Sequence, residues 1–321
     1  MIRTLRLMGA AVFALAVTAG AATAETTTFA SLPQGTLINA QVTMLSKLLL
    51  EHTNLKVRAV PMNGADATLR ATNGGESDLT LSDVTLVSAA MQGEEAFKGH
   101  PLKNVRAVVK LLTFTVGVVV PKDSPIKTVQ DLKGKRMPVG WNAFPQGRAL
   151  LTAMLATGGL TVSDIKGVPT PELIRAAEDL KTGKVDASIY AAEAPKMKEV
   201  DAAIGVRFIN LPDTPAALKA VKAVREDFYL AKRQPRPGLT GVLAPTTMLA
   251  FDLAIVAGTH VSDDAAYQVA KTLYEHGAEL KKMSPVFGSF NPKDMAKKFS
   301  ILEYHPGAIK FYKEQGLWPS S

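Results

Sequence analysis

A short residue pattern occurs twice in this chain, and it constrains the fold more than any other feature of the sequence. Gly75-Glu-Ser-Asp78-Leu-Thr-Leu81 and Gly183-Lys-Val-Asp186-Ala-Ser-Ile189 share a glycine, an aspartate three residues later, a hydroxyl residue and a branched aliphatic residue. Each copy follows a helical pattern and begins a β-type run. The matching context on both sides predicts two lobes of related topology that face one another.

Strand and helix patterns alternate with short links around the first copy. Such alternation is typical of an α/β fold with a mainly parallel sheet, in which ligands bind at the carboxyl ends of the strands. Polar residues at these ends are therefore candidate ligand contacts, although each also suits a helix cap. They are Thr36, Asn63, Asp66, Ser82 and Asp83. The strands are predicted over 26–31, 56–60 and 78–81, and the helices over about 36–51, 66–72 and 83–91.

The order of elements begins again further along the chain. A strand is predicted over 136–140 and a helix over 146–156, and Thr170 is predicted to cap a helix over 172–181. A short strand that is predicted at 242–244 lies beyond this second set. The elements between 136 and 181 therefore belong to the second lobe that the repeated pattern predicts.

Two segments are predicted to connect the lobes. The β-type run at 114–120 leads out of the first lobe, and the proline-rich segment 234–239 cannot be regular structure, so it is the candidate return. Lobe I is therefore predicted to comprise 25–115 and 240–321, and lobe II to comprise 116–239. The crossings then lie near Thr115 and Leu239.

A loop rich in aromatic and amide residues follows the strand at 136–140. Aromatic rings exclude water while a few polar groups fix orientation, which suits a small polar organic ligand. The strand of the second repeat points further residues to the same edge. Together these candidates are Trp141, Asn142, Phe144, Gln146, Tyr190 and Glu193. The alternative is that Trp141 and Phe144 belong to the core. Arg148 is a candidate counter-ion for an anionic group, or a surface residue.

The N-terminus has the pattern of an export signal. Arg3 and Arg6 precede an apolar run at 7–17, and Ala22-Thr-Ala24 is a small-residue cleavage site. The run is shorter than the ~20 residues that span a bilayer. Residues 1–24 are therefore predicted to be a cleaved signal peptide, and the mature chain to be a soluble periplasmic protein. The absence of cysteine excludes disulfides and thiolate chemistry.

Motifs for catalysis, metals and nucleic acids are missing from the sequence. The five histidines have no metal-binding spacing, and neither a nucleophile elbow nor a phosphate or dinucleotide loop occurs, so no metal and no cofactor is predicted. The formal net charge of +8 favours an anionic ligand no more than it favours simple solubility, and no nucleic-acid partner is expected. Binding is therefore favoured over catalysis. A periplasmic enzyme that uses Asp83 and Glu193 as acid and base is the alternative.

Several stretches resemble the solute receptors of TRAP transporters, and among them the TAXI family (TRAP-associated extracytoplasmic). They are the Asn63-Gly64 loop, Gly75-x-x-Asp78, Asp131-Leu-Lys-Gly-Lys-Arg136, Gly183-x-x-Asp186-Ala187, Ala194-Pro195, and His305-Pro-Gly-Ala308 with Tyr312. The resemblance implies a two-lobed, type II-like periplasmic-binding-protein fold with the ligand cleft between the lobes. It also implies a monomeric receptor that delivers a small, carboxylated solute to TRAP membrane permease subunits.

The chain departs from the TAXI pattern at ligand-facing positions. Gly140-Trp-Asn-Ala-Phe-Pro-Gln-Gly147 stands where the family commonly has G-x-x-G-S-G-T. The glutamate specificity known in the family is therefore not carried over. Two further alternatives share this layout: a receptor for an ATP-driven (ABC) importer of sulfonates, nitrate or thiamine precursors, and a ligand-sensing partner of a membrane kinase.

Overall fold

The computed structural model describes residues 26–34 and 36–318, so the predicted signal peptide at 1–24 lies outside the described residues. The strands are β1 (Thr26–Ser31), β2 (Lys56–Pro61), β3 (Leu79–Asp83), β4 (Val105–Pro121), β5 (Arg136–Gly140), β6 (Lys166–Thr170), β7 (Ser188–Tyr190), β8 (Val206–Phe208), β9 (Tyr229–Arg233) and β10 (Thr246–Gly258). The helices are α1 (Leu37–His52), α2 (Ala65–Gly74), α3 (Val84–Gln92), α4 (Gln146–Ala156), α5 (Leu173–Lys181), α6 (Pro195–Ile204), α7 (Pro215–Val224), α8 (Asp263–Glu275), α9 (Gly277–Met283) and α10 (Pro306–Glu314).

The strands form one large sheet and one separate pair. The large sheet has the order β2-β1-β3-β10-β4-β7, with β8 also on β4 and β9 also on β10, while β5 pairs with β6. β1 is parallel to β2 and β3, and β5 is parallel to β6, as the alternation of strands and helices predicts. β10 is antiparallel to both β3 and β4.

The repeated pattern has the same structural role in both copies. The Asp78 carboxylate accepts a hydrogen bond from the Thr28 amide at 2.6 Å, and the Asp186 carboxylate accepts one from the Arg136 amide at 2.8 Å. The two residues of each pair are 50 positions apart in the sequence. The aspartate therefore ties the third strand to the first in two related units. The first unit is β1-α1-β2-α2-β3, and the second unit is β5-α4-β6-α5-β7.

The backbone conformation explains why the pattern begins with glycine. Gly75 and Gly183 have φ of 83° and 71°, a left-handed backbone that residues with a Cβ rarely adopt. Gly75 is the C-cap of α2, and Gly183 follows the end of α5. The pattern thus combines a helix stop with a strand anchor, which explains why both halves of the chain contain it.

Two long strands connect the halves of the molecule. β4 has 17 residues, and it pairs with β10 along its first part and with β7 and β8 at its end. The β-type run predicted at 114–120 is the second part of this strand, which begins at Val105 and in which Thr113 pairs with Asp252. β10 has 13 residues, all of them buried. The lobe boundaries at 115/116 and 239/240 stay a prediction.

Two predictions about local structure were wrong. Residues 242–244 are not a strand, since β10 begins at Thr246. A strand buried on both faces lacks the polar alternation by which strands are recognised in a sequence. Thr170 ends β6, and Glu172 is the N-cap of α5, accepting hydrogen bonds from the amides of Ile174 at 2.6 Å and Arg175 at 2.7 Å.

The C-terminal helix is anchored on the long strands. His305 is the N-cap of α10, and its ring accepts a hydrogen bond from the Gly307 amide at 3.3 Å. The Tyr312 hydroxyl donates to the Val108 carbonyl of β4 at 2.6 Å. The His-Pro-Gly-Ala stretch therefore has a packing role. Within 26–34 and 36–318, no helix combines the length and the apolar character needed to cross a membrane.

Candidate functional site

The helices α1 and α4 begin at related places, each after the first strand of its unit. Thr36 caps α1, because its hydroxyl accepts a hydrogen bond from the Asn39 amide at 3.2 Å and donates to the Pro33 carbonyl at 2.7 Å. Gln146 is the first residue of α4. A helix N-terminus presents free amide N–H groups, so both places suit a negatively charged or carbonyl-bearing ligand group.

Two predicted site residues from different units are in direct contact. Asp83 ends β3 and caps α3, accepting from the Thr85 amide at 2.7 Å and from the Thr85 hydroxyl at 3.2 Å. The Gln146 side-chain amide donates to the second oxygen of the same carboxylate. The carboxyl end of a first-unit strand and the start of a second-unit helix therefore meet at one point.

The environment of Asp83 changes its protonation. Burial raises the pKa of Asp83 from its ordinary value of 3.8 to about 7, because the charged form loses water contacts. The hydrogen bond from the Thr85 amide and the positive charge of Arg225 act in the opposite direction. Near neutral pH the side chain is therefore present both as a carboxylate and as a carboxylic acid that can donate a hydrogen bond.

The raised pKa predicts how stability depends on pH. The folded state holds a proton on Asp83 between about pH 4 and pH 7 that the unfolded chain releases, so the contribution of this group to stability is lost as the pH rises through about 7. Asp83→Asn cannot ionise. Wild type should therefore lose about 2–3 kcal/mol of stability between pH 5 and pH 8 that Asp83→Asn does not lose. Urea denaturation of both proteins at the two pH values measures this difference. An equal difference at both pH values would contradict the assignment.

A second contact near Asp83 was not predicted from the sequence. Arg225 follows α7, and its guanidinium donates to the Thr85 carbonyl at 2.7 Å and to the Glu95 carboxylate at 2.6 Å. The Ser88 hydroxyl donates to Asp227 at 2.6 Å. A cavity of about 210 Å³ lies between α3 and this segment. A single charged residue after an amphipathic helix is ordinarily predicted to be solvent-exposed. The contacts of Arg225 therefore could not be predicted from the sequence.

Trp141 combines features of a core residue and of a binding residue. Its backbone is left-handed, with φ of 56°, and its amide donates to the Thr170 carbonyl at 2.9 Å. The indole is buried against Gly147, and Phe144 contacts it edge-on with the ring centroids 6.3 Å apart. The indole Nε1 is a buried donor without a hydrogen-bond partner among the described residues. A left-handed non-glycine residue is strained, and such strain is concentrated at functional sites.

The residues predicted at the end of β7 are also buried or paired. Burial raises the pKa of Tyr190 to about 12, with a smaller effect from the charge of Glu172. One oxygen of Glu193 accepts from the Arg233 guanidinium at 2.5 Å, and the other is buried with no partner in the described part of the chain. Arg233 lies at the end of β9, and it was not identified from the sequence.

The remaining candidates differ in exposure. Ser82 is buried on β3, and its hydroxyl has no hydrogen-bond partner within 26–34 and 36–318. Asn63 and Asn142 are exposed in loops, and Asp66 is exposed in the first turn of α2. Arg148 is exposed, and its guanidinium lies 3.5 Å from the Gly140 carbonyl.

Three of the predicted residues thus hold a buried polar atom that no described residue pairs. These atoms are the Ser82 hydroxyl oxygen, the Trp141 indole nitrogen and the second Glu193 oxygen. A buried polar group without a partner costs about 1–3 kcal/mol. A polar ligand that paired such an atom would recover that free energy.

The fold defines the class: a two-lobed α/β protein of the kind formed by periplasmic solute-binding proteins. The chain belongs to the NMT1-like family, whose model matches residues 35–316.

Solved structures with low sequence identity share the fold. A TctC solute-binding protein from Polaromonas is 12% identical and covers 83% of this chain and 89% of its own, with a TM-score of 0.57. The probable amino-acid ABC transporter extracellular-binding protein ytmK from Bacillus subtilis is 15% identical over 82% and 97%, with a TM-score of 0.52. The periplasmic aliphatic sulphonate-binding protein SsuA from Escherichia coli is 17% identical over 92% and 89%, with a TM-score of 0.50.

Proposed function

We propose that this protein is a periplasmic solute receptor that closes two lobes over a small organic solute and delivers it to a membrane transporter. The observation that carries the proposal is the contact between Asp83 and Gln146, which joins the carboxyl end of β3 to the start of α4. Family membership and the fold support the same function. The predicted signal peptide supports a periplasmic location.

Closure would be a movement of the two lobes about their connections. β10 pairs with β3 of the first unit, β4 pairs with β7 of the second unit, and the two long strands pair with each other. A small bend in these strands would therefore change the distance between β3 and α4. The ligand would favour the closed form by making contacts to both lobes at once. The first lobe would contribute Thr36, Asn63, Ser82 and Asp83. The second lobe would contribute Trp141, Asn142, Phe144, Gln146, Tyr190 and Glu193.

The solute is proposed to carry a carboxylate. Donors at the proposed site include the Trp141 indole N–H, the Gln146 amide and the N-termini of α1 and α4. Below about pH 7 the Asp83 carboxylic acid adds a donor. Carboxylate oxygens accept such hydrogen bonds, and charge makes these bonds stronger than neutral ones.

The proposed transport partner is a TRAP permease, on the resemblance of Asp131-Leu-Lys-Gly-Lys-Arg136 and the other stretches to TAXI receptors. The fold is also shared with a protein named for an amino-acid ABC transporter, so an ABC importer is the second candidate. Uptake of the solute in cells separates them. An uncoupler that abolishes the ion gradient while ATP is maintained should stop TRAP transport and leave ABC transport running.

A ligand screen tests the receptor function directly. The purified protein would be melted in the presence of carboxylates, amino acids and sulfonates, one at a time. A ligand at one hundred times its dissociation constant should stabilise the fold by about 2.7 kcal/mol. If no small organic solute raises the melting temperature, the receptor proposal fails.

The two tryptophans of the chain offer a matched test of the site. Trp141→Ala removes a buried aromatic wall and a donor that no described residue pairs, so we expect the solute found in the screen to bind at least about tenfold more weakly. Trp318→Ala is the control, because Trp318 packs on Tyr304 and Tyr312 near α10. Isothermal titration calorimetry measures both affinities. Equal losses in the two variants would remove Trp141 from the site.

Fluorescence gives an independent reading of the same question. In Trp318→Phe the only tryptophan is Trp141, so solute binding should change the emission of this variant. In Trp141→Phe the remaining indole is Trp318, which packs on Tyr304 and Tyr312, and its emission should stay constant.

The raised pKa of Asp83 also favours a second candidate function, that of a periplasmic enzyme, since a group with a pKa near 7 suits acid–base catalysis. Glu193 would be its partner. Mass spectrometry of the bound solute after prolonged incubation distinguishes the two functions. A receptor returns the solute unchanged, whereas an enzyme converts it and loses that conversion in Asp83→Asn.

A further inference from the structure

We propose that His52, His276 and Glu279 form a binding site for one divalent transition-metal ion, such as Zn²⁺, on the helices α1, α8 and α9. His52 is the last residue of α1, His276 lies between α8 and α9, and Glu279 is in the first turn of α9. The site is separate from the proposed solute cleft, and it does not depend on the proposed function.

The distances between the ligand atoms fit such an ion. The His52 Nε2 lies 3.0 Å from the Glu279 Oε2, and the His276 Nδ1 lies 3.3 Å from the same oxygen. All three atoms lie within 4.8 Å of one another. Tetrahedral zinc has bonds of about 2.0–2.2 Å to nitrogen and oxygen, which place neighbouring ligand atoms about 3.3 Å apart. The two nitrogen–oxygen distances are close to this value, so the three groups are near enough to one another to share an ion.

The ligand types define which ions the site would take. Two imidazoles and one carboxylate favour zinc, copper or nickel, whereas calcium and magnesium require more oxygen ligands. The three side chains are between 27% and 44% exposed, so water can complete the coordination. Three protein ligands and an open fourth position are common for zinc.

One adjustment is needed before the two rings can share an ion. They are stacked with centroids 3.5 Å apart and planes 19° from parallel, so a single ion cannot lie in both ring planes. Rotation of one imidazole about χ2 corrects this. That torsion has a broad energy profile in histidine, and both side chains are partly exposed, so the rotation requires no repacking of the core.

The position of the site indicates what a bound ion would do. α1 has 16 residues, which corresponds to roughly 24 Å, and Thr36 is at its other end. An ion at His52 would join the end of α1 to the junction of α8 and α9. It would therefore stabilise the packing of these helices without contacting the solute.

Metal titration tests the site on the protein after removal of any histidine tag. Calorimetry with ZnCl₂ should show one ion per chain, and CaCl₂ should show no comparable binding. His276→Asn should weaken zinc binding at least tenfold, and Glu279→Gln is a second variant that retains both imidazoles and should also bind zinc more weakly. His100→Asn is the matched control, since His100 is exposed elsewhere on the surface, and it should bind zinc as wild type does.

Two further readouts make the test specific. Zn²⁺ should raise the melting temperature of wild type and of His100→Asn but not that of His276→Asn. Co²⁺ should give the visible absorption bands of a tetrahedral site in wild type, and these should disappear in His52→Asn. The proposal is overturned if wild type binds no zinc, or if His276→Asn and His100→Asn bind it equally well.

Discussion

Replacement of Asp252 by alanine is expected to lower the free energy of unfolding by about 3–5 kcal/mol. Asp252 lies in the middle of β10 with only 3% of its surface exposed, and it accepts hydrogen bonds from three different segments. The donors are Thr113 at 3.0 Å, Tyr229 at 2.7 Å and Lys297 at 2.6 Å. The ammonium group of Lys110 lies 3.7 Å away.

The size of the effect follows from what the substitution leaves behind. Lys110 is buried and Lys297 is 43% exposed, and both would lose their carboxylate. Burial and the charge of Asp252 raise the pKa of Tyr229 above its ordinary value, so its hydroxyl remains a donor that must find another acceptor. Unpaired buried charges and donors are far more costly than a lost surface ion pair.

Asp213→Ala is the matched control for this prediction. Asp213 forms an ion pair with Lys232 at 3.9 Å, and both side chains are more than half exposed. Such pairs contribute about 0–1 kcal/mol. Urea denaturation measures both variants. If Asp252→Ala loses no more stability than Asp213→Ala, the buried network does not hold β4, β9 and β10 together.

Replacement of Gly307 by alanine is expected to lower the free energy of unfolding by about 3 kcal/mol or more. A Cβ at this position would lie 1.9 Å from the carbonyl oxygen of Asp263 and 2.8 Å from its Cα. These are backbone atoms at the start of α8, so no side-chain rotation can make room. α10 would have to move away from α8, and the anchor of Tyr312 on β4 would weaken.

Gly74→Ala is the control, because it adds the same methyl group where there is room. Gly74 is the last residue of α2, and a Cβ there has no neighbour within 4 Å. Alanine is favoured over glycine in a helix by roughly 0.5–1 kcal/mol, so this variant should equal or exceed wild type in stability. If Gly307→Ala loses no more stability than Gly74→Ala, then α8 and α10 can separate enough to accept the added methyl group at little cost.

The stability that the Asp252 network gives to β4 and β10 also matters for the proposed function. β4 and β10 carry much of the Asp252 network, and β10 also pairs with β3 of the first unit while β4 pairs with β7 of the second. A receptor that closes needs lobes that move as rigid bodies about a defined connection. We therefore expect Asp252→Ala to weaken solute binding as well as folding, while Gly74→Ala leaves binding unchanged.

Much of the local structure could be predicted because its causes are local. The spacing of Ala266, Val269, Ala270 and Leu273 is that of one face of a helix, and all four are buried on α8. The same spacing continues to Gly277 and Leu280 and predicts one long helix, but a turn at His276 divides it into α8 and α9. Asp83 was identified as a helix cap from its position before an apolar run, and it is the N-cap of α3. Periodicity and capping involve residues within a few positions of one another, so the sequence contains the whole signal.

The sequence alone therefore determined the alternating elements and, through the repeated pattern around Asp78 and Asp186, the existence of two related units. Only the tertiary structure decided the course of β10, the contact of Asp83 with Gln146, and the meeting of His52 with Glu279, which is 227 residues away. The reason is physical. Such contacts depend on how whole elements pack and on burial, which raises the pKa of Asp83, and neither is encoded in the spacing of neighbouring residues.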